Sequence, residues 1–168
     1  FVLLNPQTDH VETLKNLKSD KATVIMFICN HCPFVKHILK GIKEFSDEYL
    51  QKGVSIIAIN SNDVLKYPED SPAKMVQLVE DEGFKFPYLF DENQEIAKAY
   101  DAACTPDFFL FDGNHELAYR GQLDESRPNS DIPVTGVDFR AAIEAVLAGK
   151  TPTEDQKPSM GCNIKWKP

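Results

Sequence analysis

A mixed α/β sheet covered by helices is the fold class this sequence predicts, on three observations. The run from Ala22 to Ile28 is continuously apolar and rich in β-branched residues, as a strand covered on both faces would be. A long helical pattern follows it at once, and strand and helix signals then alternate as far as Tyr100. Beyond that, the turn signal Asp112-Gly113-Asn114 joins two further strands into a hairpin. Such an order packs a sheet between helices and places its site at the carboxyl end of a central strand.

Taken in order, Phe1 to Leu4 predicts a short strand, Asn5-Pro6 a turn, and Val11 to Leu14 a second short strand. After the Ala22–Ile28 strand, Val35, Ile38, Leu39, Ile42, Phe45 and Tyr49 follow helical spacing, and Gly53 supplies the stop. Val54 to Ile59 is another buried strand, ending in the polar cluster Asn60 to Asp63. Ser71-Pro72 starts a helix, with Ser as N-cap and Pro in the first helical position, and Gly83 ends it. Phe86 to Phe90 reads as a strand and Glu95 to Tyr100 as a short helix. Phe108 to Phe111 and Glu116 to Arg120 form the hairpin, Asp124 to Pro133 a polar loop, and Asp138 to Leu147 a last helix. Residues 1–150 therefore form one domain. Residues 151–168 are a Pro- and Lys-bearing tail without periodicity, packed on the domain or extending from it.

A chain of 168 residues buries enough surface to hold one core. Its net charge of −8 argues against nucleic acid, which is bound through Lys and Arg neutralising phosphates. No apolar run approaches the roughly 20 residues of a membrane span, so membrane insertion is not expected. Phe1 to Leu4 lacks the basic start and cleavage site of a secretory signal. A start at Phe rather than Met points to lost upstream residues, which leaves a periplasmic or exported placement open beside a cytoplasmic one.

The chemistry sits in Cys29-Asn30-His31-Cys32-Pro33, directly after a strand and before a helix. A thiol at a helix N-terminus meets unpaired N–H groups and the positive end of the dipole, which favour the thiolate. Two intervening residues let the second sulfur approach the first, and such a pair in this context reads as a redox motif. His31, if protonated, together with Lys36 and His37, is expected to lower the pKa of Cys29 and make the disulfide more oxidising. Pro33 fits the first helical turn, where its missing N–H costs nothing. The competing reading is metal, through Cys29, Cys32 and either His31 or His37. A structural zinc site needs a full tetrahedral set, and no second Cys or His pair stands at matching spacing. No metal and no organic cofactor are expected. Cys104 and Cys162 are distant singles, most simply small buried apolar residues. Thr105-Pro106 before the apolar run from Phe108 reads as a strand-entry turn.

Together these segments resemble the thioredoxin-fold superfamily, within the redoxin group that holds peroxiredoxin-like and TlpA-like proteins. The resemblance covers most of the chain. It rests on Phe1-Val2-Leu3, Cys29 to Cys32, Thr105-Pro106 and the hairpin from Phe108 to Arg120. Members that carry an Asn-His-Cys-Pro site and a Gly-Cys-Asn-Ile-Lys-Trp tail are the most similar, and both stand here, as Asn30 to Pro33 and Gly161 to Trp166. The resemblance implies a thioredoxin-like fold with a redoxin-type N-terminal β extension. It implies Cys29 as an exposed nucleophile and Cys32 as the resolving thiol. It also implies that Pro106 is a cis-proline beside the disulfide, presenting the backbone of Thr105 to a partner strand. Cys104 would then lie near the pair and capture a sulfenate or disulfide on Cys29. The chain departs from the group at Thr23, where thioredoxins have a buried Asp, at Val35, where TlpA-like proteins have an acid, and at Met26, where peroxiredoxins have Thr or Ser.

The expected function is thiol–disulfide oxidoreduction through a mixed disulfide on Cys29, resolved by Cys32. Its partners would be a protein or small-molecule disulfide and a recycling reductant. One alternative is a peroxiredoxin-like thiol peroxidase with Cys29 as the peroxidatic thiol, and another is a redox-sensing or metal-binding module. Arg120 could stabilise a thiolate or an anion. Glu69-Asp70 and Glu80-Asp81-Glu82 read as solvated surface. Trp166 is expected to anchor the tail, which would carry Cys162 toward Cys104 or the active site.

Overall fold

The computed structural model describes all of Phe1–Pro168. The chain opens with β1 (Val2–Asn5) and β2 (His10–Thr13), an antiparallel pair, followed by a single helical turn, α1 (Leu14–Leu17). The second strand stops one residue short of the sequence expectation. Thr13 Oγ1 accepts from the Asn16 N–H and so caps α1 instead of continuing the ladder. Next come β3 (Ala22–Phe27), α2 (Pro33–Gln51) and β4 (Ser55–Asn60), in which α2 returns the chain to a strand parallel to β3. A 3-10 turn at Pro68–Asp70 leads into α3 (Pro72–Glu82), β5 (Tyr88–Phe90) and α4 (Glu95–Ala99). The remaining elements are β6 (Cys104–Thr105), β7 (Asp107–Asp112), β8 (Leu117–Gly121), α5 (Val137–Leu147) and β9 (Cys162–Asn163).

Seven strands form one mixed sheet in the order β2-β1-β5-β4-β3-β7-β8, with β3 to β5 parallel and the outer pairs antiparallel. This is a thioredoxin-like architecture. The central strand β3 is buried at every position, which explains its unbroken apolar sequence. Val24 and Met26 face one layer, where Val35, Ile38, Ile42, Phe45 and Tyr49 of α2 meet Phe139 and Ile143 of α5. Ile25 and Phe27 face the other, with Ile57, Leu89, Ala97 and Phe109. Ile164 of the tail is 1% exposed and belongs to that second layer.

The tail runs back along the domain. Lys157 O accepts from the Gln122 N–H at 2.9 Å, and Ser159 Oγ donates to Gly121 O at 2.6 Å. Farther on, Lys165 N–H donates to Asn62 Oδ1 at 2.9 Å, and Lys165 O accepts from Gln94 Nε2 at 2.8 Å. Trp166, 40% exposed, contributes less to the anchoring than Ile164. Its ring lies 5.7 Å from Lys98 Nζ on the surface. No helix is long and apolar enough to cross a membrane.

Candidate active site

Beyond the end of β3 the chain makes a short loop, and Cys32 becomes the N-cap of α2 with Pro33 in the first turn. The helix dipole therefore acts most directly on Cys32, three residues later than the sequence expectation of Cys29. Both thiols are 0% exposed. The Thr105 hydroxyl lies 3.4 Å from Cys29 Sγ, while Cys32 Sγ lies 3.4 Å from Thr105 O. The Thr105–Pro106 peptide bond is cis. A third sulfur completes the cluster: Cys162 Sγ is 2.8 Å from Cys32 Sγ. All four cysteines are unbridged.

The expectation that Cys29 is exposed, with a lowered pKa, is corrected. Its contact with Cys32, its burial and the nearby charge of Asp70 all push the Cys29 thiol well above the ordinary range. Cys32 is held well below that range, first by its contact with Cys29 and then, against the cost of burial, by Cys162 and the Val35 N–H. The two sulfurs titrate as a pair, with Cys29 the harder of the two to ionise. Of the expected cationic groups, only His31 lies beside Cys29, and Asp70 engages it. Lys36 is exposed, and His37 turns away to Ser126 Oγ at 2.7 Å.

Asp70 is the largest departure from the sequence reading. It was expected on wet surface, yet its side chain is 0% exposed beneath the loop between the cysteines. Its Oδ1 accepts from the Asn30 and His31 N–H groups at 2.7 and 3.1 Å. Its Oδ2 accepts from Asn62 Nδ2 at 2.9 Å and lies 2.5 Å from His31 Nδ1. Asn60 Nδ2 donates to the Asp70 carbonyl at 2.7 Å, which holds the 3-10 turn in place. Backbone and side chain together thus fix the conformation of the loop between the cysteines, and His31 stacks on Tyr67. Buried Tyr88 adds a hydroxyl that donates to Asn30 Oδ1 at 3.0 Å. A buried carboxylate thus stands beside the cysteines, on the connection between β4 and α3. Cys29, His31 and Asp70 bring ligand atoms within 4.8 Å of one another, the one grouping from which a metal could be held. Four donors already surround the Asp70 carboxylate in that grouping.

A family model described as Redoxin matches residues 2–135. The chain belongs to the Redoxin family. The ResA thiol-disulfide oxidoreductase of Halalkalibacterium halodurans is 27% identical over 117 residues, 70% of this chain and 61% of that relative. The chain thus aligns with less than two thirds of its curated relative's length. Among solved structures, an uncharacterised conserved protein from Geobacillus kaustophilus is 59% identical, with a TM-score of 0.98, over 100% of this chain and 89% of its own. A secreted disulfide oxidoreductase of Mycobacterium tuberculosis shares the fold at a TM-score of 0.64 and 14% identity, over 86% of this chain and 95% of its own.

Two further expectations for this redoxin are relocated. Cys104 does not touch the pair. Its Sγ donates to Pro106 O at 3.5 Å, and burial and Asp107 push its thiol up to about 12. Neighbouring residues on a strand point to opposite faces, so Thr105 faces the redox cysteines and Cys104 faces away. Arg120 serves that second cluster: its guanidinium lies 3.3 Å from Asp107 Oδ2, donates to Asp101 O at 2.6 Å and stacks over Phe109.

Proposed function

We propose that this redoxin is a thiol–disulfide oxidoreductase working through Cys29 and Cys32. The observation that carries the reading is the placement of two buried sulfurs against Thr105 at the N-terminus of α2. Loss of the Cys29 proton to Cys32 makes Cys29 the nucleophile. Its thiolate attacks a substrate disulfide, forming one S–S bond as the first substrate sulfur leaves as a thiolate, which takes the proton from Cys32. Cys32, whose thiolate the helix end favours, then attacks Cys29 Sγ and expels the second substrate thiolate. Two electrons pass to the substrate, and the Cys29–Cys32 disulfide remains until an external dithiol reduces it. Met26, the residue three before Cys29, is buried in β3 and offers no hydroxyl to a peroxide, so the peroxidase reading is the weaker one.

Turnover of a small disulfide, with dithiothreitol as electron source, tests the reading. Cys29→Ser is expected to fall to the background rate, and Cys32→Ser to accumulate a mixed disulfide on Cys29 that mass spectrometry detects. Wild-type turnover by Cys29→Ser would refute it.

A further inference from the structure

Strand β9 lies where an extended partner would add to β6, and it brings a thiol with it. Thr105 pairs with Cys162 and Cys104 with Asn163, in antiparallel register. An extended segment recognised by strand addition makes the same kind of contact. The chain is shaped for it at Gly161, where an added Cβ would meet Thr105 O at 2.0 Å. Any side chain there would push the tail off the strand.

Cys162 is held from both sides. Before it, Ser159 is bonded to Gly121 O, and after it Ile164 is plugged into the second core layer while Gln94 clasps Lys165 O. The 2.8 Å separation of Cys162 Sγ and Cys32 Sγ has to shrink by less than ~1 Å to become a disulfide. Cys162 is also half-buried, whereas both members of the pair are sealed.

We infer that Cys162 is a third redox thiol, which exchanges with the Cys29–Cys32 disulfide at the Cys32 sulfur and carries the oxidising equivalent out to the tail. This rests on the oxidoreductase reading above, which supplies the Cys29–Cys32 disulfide. In the step, Cys162 loses its proton and its sulfur attacks Cys32 Sγ. The Cys32–Cys162 bond forms as the Cys29–Cys32 bond breaks, and Cys29 leaves as a thiolate that takes up the proton. The exchange is redox-neutral. A dithiol reductant then attacks Cys162 in the more accessible bond, becomes a disulfide itself, and returns Cys32 and Cys162 to thiols. Burial first, and then contact with the Cys32 thiolate, push the Cys162 thiol up in the reduced protein. Oxidation of Cys32 removes the second of these, so Cys162 deprotonates more readily when its target is present.

The test is a time course. Reduced protein is oxidised with excess oxidised glutathione, acid-quenched, alkylated and mapped by mass spectrometry. The expected result is that Cys29–Cys32 forms first and Cys32–Cys162 grows at its expense, at a rate independent of protein concentration. In Cys162→Ser, Cys29–Cys32 should persist, and its reduction by a dithiol protein should slow by about tenfold. If Cys29–Cys32 titrates normally while Cys162 stays fully alkylated throughout, the relay is overturned and the oxidoreductase reading stands. If Cys29–Cys32 never forms, that reading falls and the relay falls with it. Tail release is followed independently through Trp166 fluorescence, which separates a loss of docking in the variant from a loss of exchange.

Discussion

Cys104 and Cys162 lie on the two strands of one small ladder, a single register step apart, yet only Cys162 reaches the redox pair. Both are half-buried thiols raised first by burial. The strand pleat separates them. Thr105 and its partner Cys162 face the cysteines of the α2 end, while Cys104 is turned toward Asp107 and Arg120. Placing a cysteine close in sequence to Pro106 does not place its sulfur near Cys29. A residue far along the chain does so because its strand meets the right face.

The strongest way to break this contrast is Gly161→Ala. The added methyl collides with the Thr105 carbonyl, so β9 should leave β6. Cys162 is then expected to react with iodoacetamide at the rate of a free exposed thiol, while Cys104, covered by other contacts, stays slow. Equal slow rates for the two would remove the basis of the contrast. A second variant exploits the matching carboxylates, since Asp70 raises Cys29 as Asp107 raises Cys104. Removing a negative charge lowers a thiol pKa, so Asp70→Asn is expected to shift the Cys29 titration midpoint down by about 1–3 pH units. Thiolate absorbance against pH reads this directly, and an unchanged or higher midpoint would contradict the electrostatic account. Asp107→Asn should move Cys104 in the same direction but by less, because Arg120 already offsets part of the Asp107 charge. The smallest effect belongs to Cys104→Ala. It should leave the Cys29–Cys32 potential unchanged within about 30 mV, with stability within about 1 kcal/mol.

The main sheet and long helices were legible in the sequence because their information is local. Val35 to Tyr49 repeats with the helical period, and β3 is apolar throughout because both its faces are covered. The cysteine motif at the start of α2 and the strand entry at Thr105-Pro106 were legible as local structure. Asp70 was not, since its burial depends on Asn60 and Asn62 folding the 61–70 segment back under the redox loop, and neither asparagine follows a pattern that signals it. Strand β9 is two residues long and exists only because Gly161 allows close approach and Ile164 fills the second layer. Nothing in the polarity of residues 150–168 marks it as a strand. The order of thiolate stability along the three sulfurs was equally invisible, because it follows first from burial and from which sulfurs touch one another.

Fastening the tail on both sides of Cys162 also sets how the protein competes with its surroundings. A tethered thiol is present at its target at an effective concentration on the order of millimolar or higher, whatever the protein's own dilution. A freely diffusing small thiol must exceed that local figure before it captures Cys32 instead. In the proposed relay, the fastening at Ser159 and Ile164 would favour internal exchange over capture by a small thiol.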